Sequence, residues 1–390
     1  MKEAIYAASL DPITYGHVNI VERALNVFDR LLVGIGVNET KQSLFSLEER
    51  ETMARKELAR FGTRVRVKSF QGMLSDFAYE NNIHTVIRGA RSTPDFDYEK
   101  LLSDINRYCG VDTIIYTTIP RLAHVSSSAA KAITLNTGKN ILDYVSMSVK
   151  HRLEEVLLEQ YRVGITGVIG SGKSHITERF YQFIVQNMLP LVPHIIDMDL
   201  IGHYILEKGT EPIYKRVREE VCYFLKIKKI DIKKIREKIF DDAMYSSNRD
   251  GFNKIMREPT MYELRKTLLK EKGNIGRRSF VIITGALLCE MRGLDEFNNN
   301  LILVDSPKEL IIKRLQASRG YSDEVIKQRM GAQLNLSCKG LYQDEKAKED
   351  GYGKAWYVQN DGHLNVQELD SIFEKVLKDL GCICKGYTIQ

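Results

Sequence analysis

Proline is scarce in this chain, 8 of 390 residues, tryptophan occurs once, and charge of neither sign dominates. So few prolines exclude an extended polyproline linker, and 43% hydrophobic with 28% charged residues is the composition of a folded chain rather than a disordered one. The 57 basic and 51 acidic residues, net +6, are mixed along the sequence, which suits anionic small substrates and argues against a nucleic-acid partner. The densest basic run, "KIKKIDIKKIREK" at 226–238, spaces its isoleucines for one buried helical stripe beneath a solvated lysine face. A nucleic-acid patch is the alternative. Long apolar runs are missing too: "FVIITGALLCEM" falls short of the roughly 20 residues of a membrane helix, so no membrane partner is expected. Lys2 and Glu3 precede a strand-like run rather than a signal core, and the six cysteines, at 109, 222, 289, 338, 382 and 384, are scattered; reduced thiols and a cytoplasmic setting are expected. Cys382 and Cys384 stand as a lone C-x-C without partners at zinc spacing.

The length exceeds what one core usually supports and predicts two large domains. In the first 159 residues short apolar runs ("AIYAAS", "RLLVGIGV", "RVRVKS", "HTVIRG", "DTIIYTT") alternate with helical patterns such as "HVNIVERALNVF", where Ile20, Val21, Ala24, Leu25 and Phe28 share a face. That alternation predicts a doubly wound α/β domain with a parallel sheet, its ligands beyond the carboxyl ends of the strands. The amphipathic "SVKHRLEEVLLEQ" closes it, and the strand "YRVGIT" follows without a Gly/Ser linker, so the domains are expected at 1–159 and 160–390.

Three segments of the first domain offer phosphate contacts. In "SLDPITYGHVNI" (9–20) a strand ends, turns through Asp11-Pro12 and enters a helix at Gly16-His17, which gathers Ser9, Thr14 and His17 at a helix N-terminus. The alternative is a histidine that caps its own helix. In "VIRGARSTPDFDYE" (86–99) Arg88 and Arg91 leave a strand end as fork-shaped donors, or form ordinary surface ion pairs. "HVSSSAAK" (124–131) sets Ser126, Ser127 and Ser128 at a helix start, where an N-cap needs only one serine.

With "LFSLEER" and "INR", these segments stand in the order and near-spacing of bacterial phosphopantetheine adenylyltransferase, which residues 1–159 closely resemble. The resemblance implies attack of the 4′-phosphopantetheine phosphate on the α-phosphorus of ATP, giving dephospho-coenzyme A and pyrophosphate. His17 would stabilise the α-phosphate, with Lys41 and Arg91 as further electrostatic partners. Ser9, Lys41, Met73 or Leu74, and Arg88 would meet phosphopantetheine; Ser9, Leu10, His17, Gly89, Arg91, Glu99 and Ser126 to Ser128 would meet ATP. Ala7 and Ala8 stand where the family has Pro-Gly, and Leu10 replaces an aromatic residue. The family commonly forms hexamers, so a homo-oligomer is expected.

The second domain opens with "YRVGIT", the loop "GVIGSGKS" (167–174) and the helix "SHITERFYQFIVQN", the strand–loop–helix context of a P-loop. Amides of the loop, from Gly167 through Gly170, Ser171 and Gly172, cradle phosphate in such a motif; Lys173 bridges the β and γ oxygens and Ser174 binds Mg²⁺. A degenerate loop is the alternative. "HIIDMD" puts Asp197 and Asp199 on one face of a strand end, as catalytic carboxylates or as a helix cap. "PKELIIKRLQASRGYSDEVIKQRMGAQ" predicts two helical pieces joined at 319–322, and Arg314, Arg319 and Arg329 are candidates for a lid over ATP or for solvated charges.

By these segments and by "IREKIF", "ALLCE", "VDSP" and "VQNDG", residues 161 to about 380 resemble dephospho-coenzyme A kinase. Two departures are Arg257-Glu258-Pro259 for the family's Leu-His-Pro, and Gly285-Ala286-Leu287-Leu288 for Val-Pro-Leu-Leu. The resemblance implies phosphorylation of the 3′-hydroxyl of dephospho-coenzyme A, with Asp199 as base and Mg²⁺ accompanying ATP. The first domain's product is then the second's substrate, and a bifunctional enzyme of coenzyme A synthesis is expected. The alternatives are another nucleotidyltransferase–kinase pair, or an adenylyltransferase with a C-terminal ATP-binding regulatory module.

Overall fold

In the computed structural model residues 1–37, 42–138, 140–239, 245–273 and 277–383 are described; Lys41 and Cys384 lie outside the described residues. The chain divides into two compact units, Met1–Thr134 with Asn140–Leu153, and Leu135–Lys139 with Glu154–Gln390.

The first unit is built on β1 (Glu3–Ala8), β2 (Arg30–Gly36), β3 (Val65–Phe70), β4 (Thr85–Ala90) and β5 (Asp112–Thr117), all parallel in the order β3-β2-β1-β4-β5. Ala4 to Ala7 and Leu31 to Ile35 are buried without a break, as in a sheet covered on both faces, whereas the edge strands β3 and β5 are largely open. The order reverses between β1 and β4, which opens a crevice beyond their carboxyl ends. The helices are α1 (Tyr15–Ala24), α2 (Leu47–Leu58), α3 (Leu74–Glu80), α4 (Thr93–Tyr108), α5 (Ser127–Thr137) and α6 (Met147–Leu157), the last turns of α5 and α6, from Leu135 and Glu154 on, falling in the second unit. α1 buries Val18, Ile20, Val21 and Ala24, and it ends earlier than the pattern "HVNIVERALNVF" predicts: Leu25 and Phe28 are buried from the turn that follows. Sequence periodicity does not announce α3, because seven residues are too few to display it; packing fixes it, with Phe77 stacked on Phe70 at 4.4 Å between ring centres.

The second unit carries β6 (Gln160–Thr166), β7 (Leu191–Asp197), β8 (Arg278–Thr284), β9 (Leu301–Asp305) and β10 (Ala355–Gln359), parallel in the order β10-β9-β6-β8-β7. Its helices are α7 (Lys173–Gln186), α8 (Met198–His203), α9 (Pro212–Phe224), α10 (Ile232–Ile239), α11 (Tyr245–Lys270), α12 (Lys308–Arg319), α13 (Asp323–Gly331), α14 (Leu336–Glu349) and α15 (Val366–Asp379). One face of the sheet is covered by α7 and α15, where Phe180 stacks on Phe373 at 4.3 Å; the other meets Tyr214, Val217, Ile235 and Leu264 of α9, α10 and α11. Within α10, Ile235 and Ile239 are buried while Lys233 and Lys234 are exposed, the expected stripe beneath a lysine face. β8 stops at Thr284, and residues 285–290 turn, so the apolar "GALL" is not strand. α12 and α13 are the two helical pieces, joined at Gly320. Among the described residues no helix is long and apolar enough to cross a membrane.

Candidate active sites

After β1 the chain turns through residues 9–14 before α1 begins. Leu10 is fully buried with φ +47, a left-handed backbone that leucine seldom adopts, so contacts rather than local preference set this loop. Asp11 supplies several. Its buried carboxylate accepts the N–H groups of Leu44 and Phe45 at 3.0 Å and the Lys131 ammonium at 2.9 Å. Burial alone raises the Asp11 pKa, but these three donors bring it below its ordinary value. Buried Arg50 donates to the carbonyls of Ser9 (2.8 Å) and Gly36 (3.3 Å), fastening the ends of β1 and β2 together. The Ser127 hydroxyl donates to the Pro12 carbonyl at 2.8 Å, and Ser126 Oγ accepts the Ala129 N–H at 3.0 Å, so α5 is tied to the same loop. Ser9 and Ser128 are exposed.

His17, in the first turn of α1, accepts the Thr14 N–H on Nδ1 at 3.0 Å, and Thr14 Oγ1 stands 2.9 Å from the same nitrogen. The histidine therefore caps its own helix, and the cap leaves Nε2 as the protonated, donating nitrogen of the neutral ring. Burial, then the charge of Arg91, lowers its pKa to about 4. The two readings of T-x-G-H are thus one arrangement: a capped imidazole, neutral at pH 7, with Nε2–H available to an anion.

Arg88 and Glu99 form a bidentate pair at 2.6 and 2.9 Å, and Arg88 also donates to the Ala7 carbonyl at 2.7 Å, which joins β4 to β1 across the crevice. Arg91 is exposed and leans on Asp95 at 3.2 Å. Met73 and Leu74 stand at the start of α3, with Met73 53% exposed and so open to a ligand. A side chain at Gly89 would put Cβ 2.2 Å from Ile20 Cδ1, so this glycine lets α1 close onto β4. Gly89→Ala is expected to destabilise the first unit by about 1–3 kcal/mol, as overpacking does. Thermal melting checks this, and Ile20→Val, which removes the obstructing methyl, should recover most of the loss.

In the second unit the P-loop follows β6. Its Ser171 carbonyl accepts Asn360 Nδ2 at 2.8 Å, Ser306 Oγ at 3.1 Å and Arg314 Nη1 at 3.4 Å; Arg314 also donates to Ser306 Oγ (2.9 Å) and Asn360 Oδ1 (3.2 Å). Arg314 thus braces the loop from beyond β9 and β10. Gly172 has φ +91, and a Cβ there would stand 2.1 Å from Asn360 Nδ2, so only glycine fits. The Ile169 N–H donates to Gln333 Oε1 at 2.8 Å.

Lys173 Nζ donates to the Val168 carbonyl at 3.3 Å. Burial lowers its pKa to about 8; the charge of Asp199 opposes the shift, and those of Lys339 and Arg319 add to it. Asp197 accepts the Asp199 N–H at 2.8 Å and caps α8. Burial and the charge of Asp197 push the Asp199 carboxyl up, against the pull of Lys173, His203 and Arg319. Asp197, Asp199, Arg319 and Lys339 thus all act on Lys173 through their charges, and Ser174 is exposed beside it. Arg329 lies over the Tyr321 ring at 4.4 Å. Arg257 and Glu258 are exposed on α11, and Pro259 is buried within it.

Asp11, Arg50, Lys131, Ser306 and Gln333 were not anticipated as site residues. All five lie within segments quoted above, Asp11 in the turn before Gly16-His17, Arg50 in "LFSLEER", Lys131 in "HVSSSAAK", Ser306 in "VDSP" and Gln333 in "RMGAQ", as Asn360 lies in "VQNDG"; what no local pattern records is the distant group each one bonds.

A family model described as cytidylyltransferase-like matches residues 5–133, and one described as dephospho-CoA kinase matches residues 161–370. Phosphopantetheine adenylyltransferase of Bacteroides thetaiotaomicron is 38% identical over 146 residues, 37% of this chain and 95% of that protein. The enzyme of the same name from Porphyromonas gingivalis (strain W83) is 40% identical over 144 residues, 36% of this chain and 92% of its own length. With these matches, two parallel sheets, each with a polar cluster at the carboxyl ends of its strands, belong to a two-unit nucleotide-dependent transferase. The chain belongs to the phosphopantetheine adenylyltransferase family in its N-terminal part and to the dephospho-CoA kinase family in its C-terminal part, and is a bifunctional enzyme of coenzyme A biosynthesis.

Proposed function

We propose that the two reactions run on the two clusters in turn, each within its own domain, residues 1–159 and 160–390. In the first, a phosphate oxygen of 4′-phosphopantetheine attacks the α-phosphorus of ATP, the bond to the bridging oxygen breaks, and pyrophosphate leaves. The neutral imidazole of His17 donates from Nε2 to the α-phosphate as charge gathers on it, and Arg91 adds positive potential, as does Lys41 by resemblance. The observation that carries this reading is the Thr14–His17 bond, which fixes the donating nitrogen. Arg88, held by Glu99 and Ala7, orients the acceptor side with Ser9, Met73 and Leu74. The nucleotide side is formed by Leu10, Gly89 and the start of α5.

In the second reaction the 3′-hydroxyl of dephospho-coenzyme A attacks the γ-phosphorus of a second ATP, releasing ADP, and Asp199 takes the hydroxyl proton. Its raised pKa makes it a stronger base than an ordinary aspartate. Lys173 and the P-loop amides hold the β- and γ-phosphates, with Arg319 beside them. Both families use ATP and generally need a divalent metal; the exposed Ser174 hydroxyl and the Asp197 carboxylate are hard oxygen donors that fit Mg²⁺ held jointly with phosphate. Mg²⁺ so held would offset charge on the β- and γ-oxygens.

Exposed apolar side chains on α4, among them Phe96, Tyr98, Leu101 and Ile105, support self-association of the first unit. The free thiols of Cys109, Cys222, Cys289, Cys338 and Cys382 support a reducing, cytoplasmic setting. Incubating the wild-type protein with 4′-phosphopantetheine, ATP and Mg²⁺, with products resolved by mass, tests the assignment. Dephospho-coenzyme A should appear and then give way to coenzyme A; accumulation of dephospho-coenzyme A with no coenzyme A would leave only the adenylyltransferase half standing.

A further inference from the structure

The turn that follows β8 is held by a lysine that takes no part in the reaction just described. Lys339, near the start of α14, has a side chain of 0% exposure. Its ammonium donates to the Ala286 carbonyl and to both carboxylate oxygens of Glu290, each at 2.7 Å. Thr166, the last residue of β6, donates to the same Ala286 carbonyl at 3.4 Å. A methyl on Gly285 would stand 3.2 Å from Met198 Cβ, so the turn runs against the residue that separates Asp197 from Asp199. Glu290 Oε1 also accepts the Leu334 N–H at 2.8 Å, and the neighbouring Gln333 accepts the Ile169 N–H of the P-loop. A continuous path of hydrogen bonds therefore runs from the turn, through Lys339 and Glu290, to adjacent residues 333 and 334 and on to the phosphate loop.

Burying an ammonium and a carboxylate is costly, and well-packed apolar residues of similar volume often stabilise a core as well or better. What such a pair supplies is direction: three short bonds from one nitrogen fix the turn where this chain has Gly285-Ala286 in place of the family's Val-Pro. We propose that Lys339 is a positioning residue of the kinase half, which holds the turn at 285–290 against Met198, between Asp197 and Asp199, and, through Glu290, Leu334 and Gln333, sets that turn relative to the P-loop. The inference rests on the reading of Asp199 as base and of the second unit as the kinase.

The test uses the full chain with Lys339→Met, which keeps the volume and removes the charge. Phosphorylation of dephospho-coenzyme A should lose about 10²-fold in kcat, the scale of a small misplacement of reacting groups. At pH 7, below the pKa of about 8 that Lys339 helps to set on Lys173, ATP affinity should change far less than kcat, and adenylyl transfer by the same preparation should match wild type. Lys339→Arg should restore part of kcat, and Glu290→Gln added to Lys339→Met should cost nothing further, because both act on one path. Should Lys339→Met alone fail to fold, the doubly neutral Lys339→Met/Glu290→Gln chain carries the same expectation. An unchanged kcat, additive losses, or equal losses in ATP affinity and kcat would overturn the proposal. A wild-type chain that binds ATP yet does not phosphorylate dephospho-coenzyme A would overturn the kinase reading itself, and the proposal with it.

Discussion

Lys173→Met is expected to lower coenzyme A formation by about 10²- to 10³-fold, the range for loss of one preorganised charge-stabilising donor, while pyrophosphate release from the first reaction continues at the wild-type rate. The selectivity follows from construction: Lys173 belongs to the second unit, and the groups that position ATP for adenylyl transfer, from Asp11 to Lys131, all belong to the first. Methionine keeps the aliphatic length and loses the bond to Val168, a contact at the long end of hydrogen bonding, so the loop itself should survive. pH gives a second readout. With its pKa lowered to about 8 by burial, Lys173 is charged in the free enzyme below that pH and loses its proton above it, whereas ATP phosphates favour the charged form. ATP binding to the second unit should therefore weaken as pH rises through 8, with proton uptake on binding measurable by calorimetry. The Met variant should show weak binding with no such step. The sign for stability is opposite: the fold binds this proton less tightly than the unfolded chain, so the lysine costs stability below pH 8 and the cost fades as pH rises toward 10.5. Simultaneous loss of both activities from a folded Lys173→Met chain would contradict two independent sites.

The parts legible in sequence are those written in local pattern. Buried strands such as β1 and β2 are continuous apolar runs, the P-loop has fixed spacing, and the helices over and after it repeat every three or four residues. β10 was missed because Trp356 and Val358 are buried but Tyr357 is 55% exposed, which leaves too short an alternation to stand out in "AWYVQ". α14 reads as polar and charged; what secures it is Lys339, whose partners lie about fifty positions away. The candidate sites divide in the same way. His17, Lys173 and Asp199 are visible because chemistry demands those side chains at strand ends. Their supports stand in the same quoted segments, but whom they touch is not legible because the bonds are long-range: Arg50 reaches back 41 positions to Ser9, Lys131 reaches back 120 to Asp11, and Gln333 reaches back 164 to Ile169. Arg314 is a mixed case: a basic residue on a helix after the P-loop suggests a lid or a solvated charge, and its guanidinium bonds Ser306, Asn360 and the Ser171 carbonyl, ties to the loop that no pattern records.

His17→Ala should remove the first activity and spare the second. Loss of the Nε2–H donor is expected to reduce dephospho-coenzyme A formation by about 10²- to 10³-fold, with phosphorylation of added dephospho-coenzyme A unchanged. The pH profile distinguishes the neutral donor from a charged one. A pKa of about 4 keeps the ring neutral through the physiological range, so no fall in adenylyl transfer belonging to His17 should occur near pH 6.5, where an ordinary histidine titrates. Acid should act only as pH approaches 4, where protonation of Nδ1 would break its bond to the Thr14 N–H and turn an acceptor into a second donor. The stability sign agrees: the folded pKa lies below the unfolded one, so the fold binds this proton less tightly, and stability attributable to His17 falls as pH drops from about 6.5 toward 4. His17→Asn separates the two roles of the ring. Its side chain can still bond locally near the helix start but is shorter than imidazole, so the fold should hold in thermal melting while adenylyl transfer stays low. A His17→Asn chain with wild-type adenylyl transfer would show that the cap, and not the Nε2 donor, is what this residue contributes.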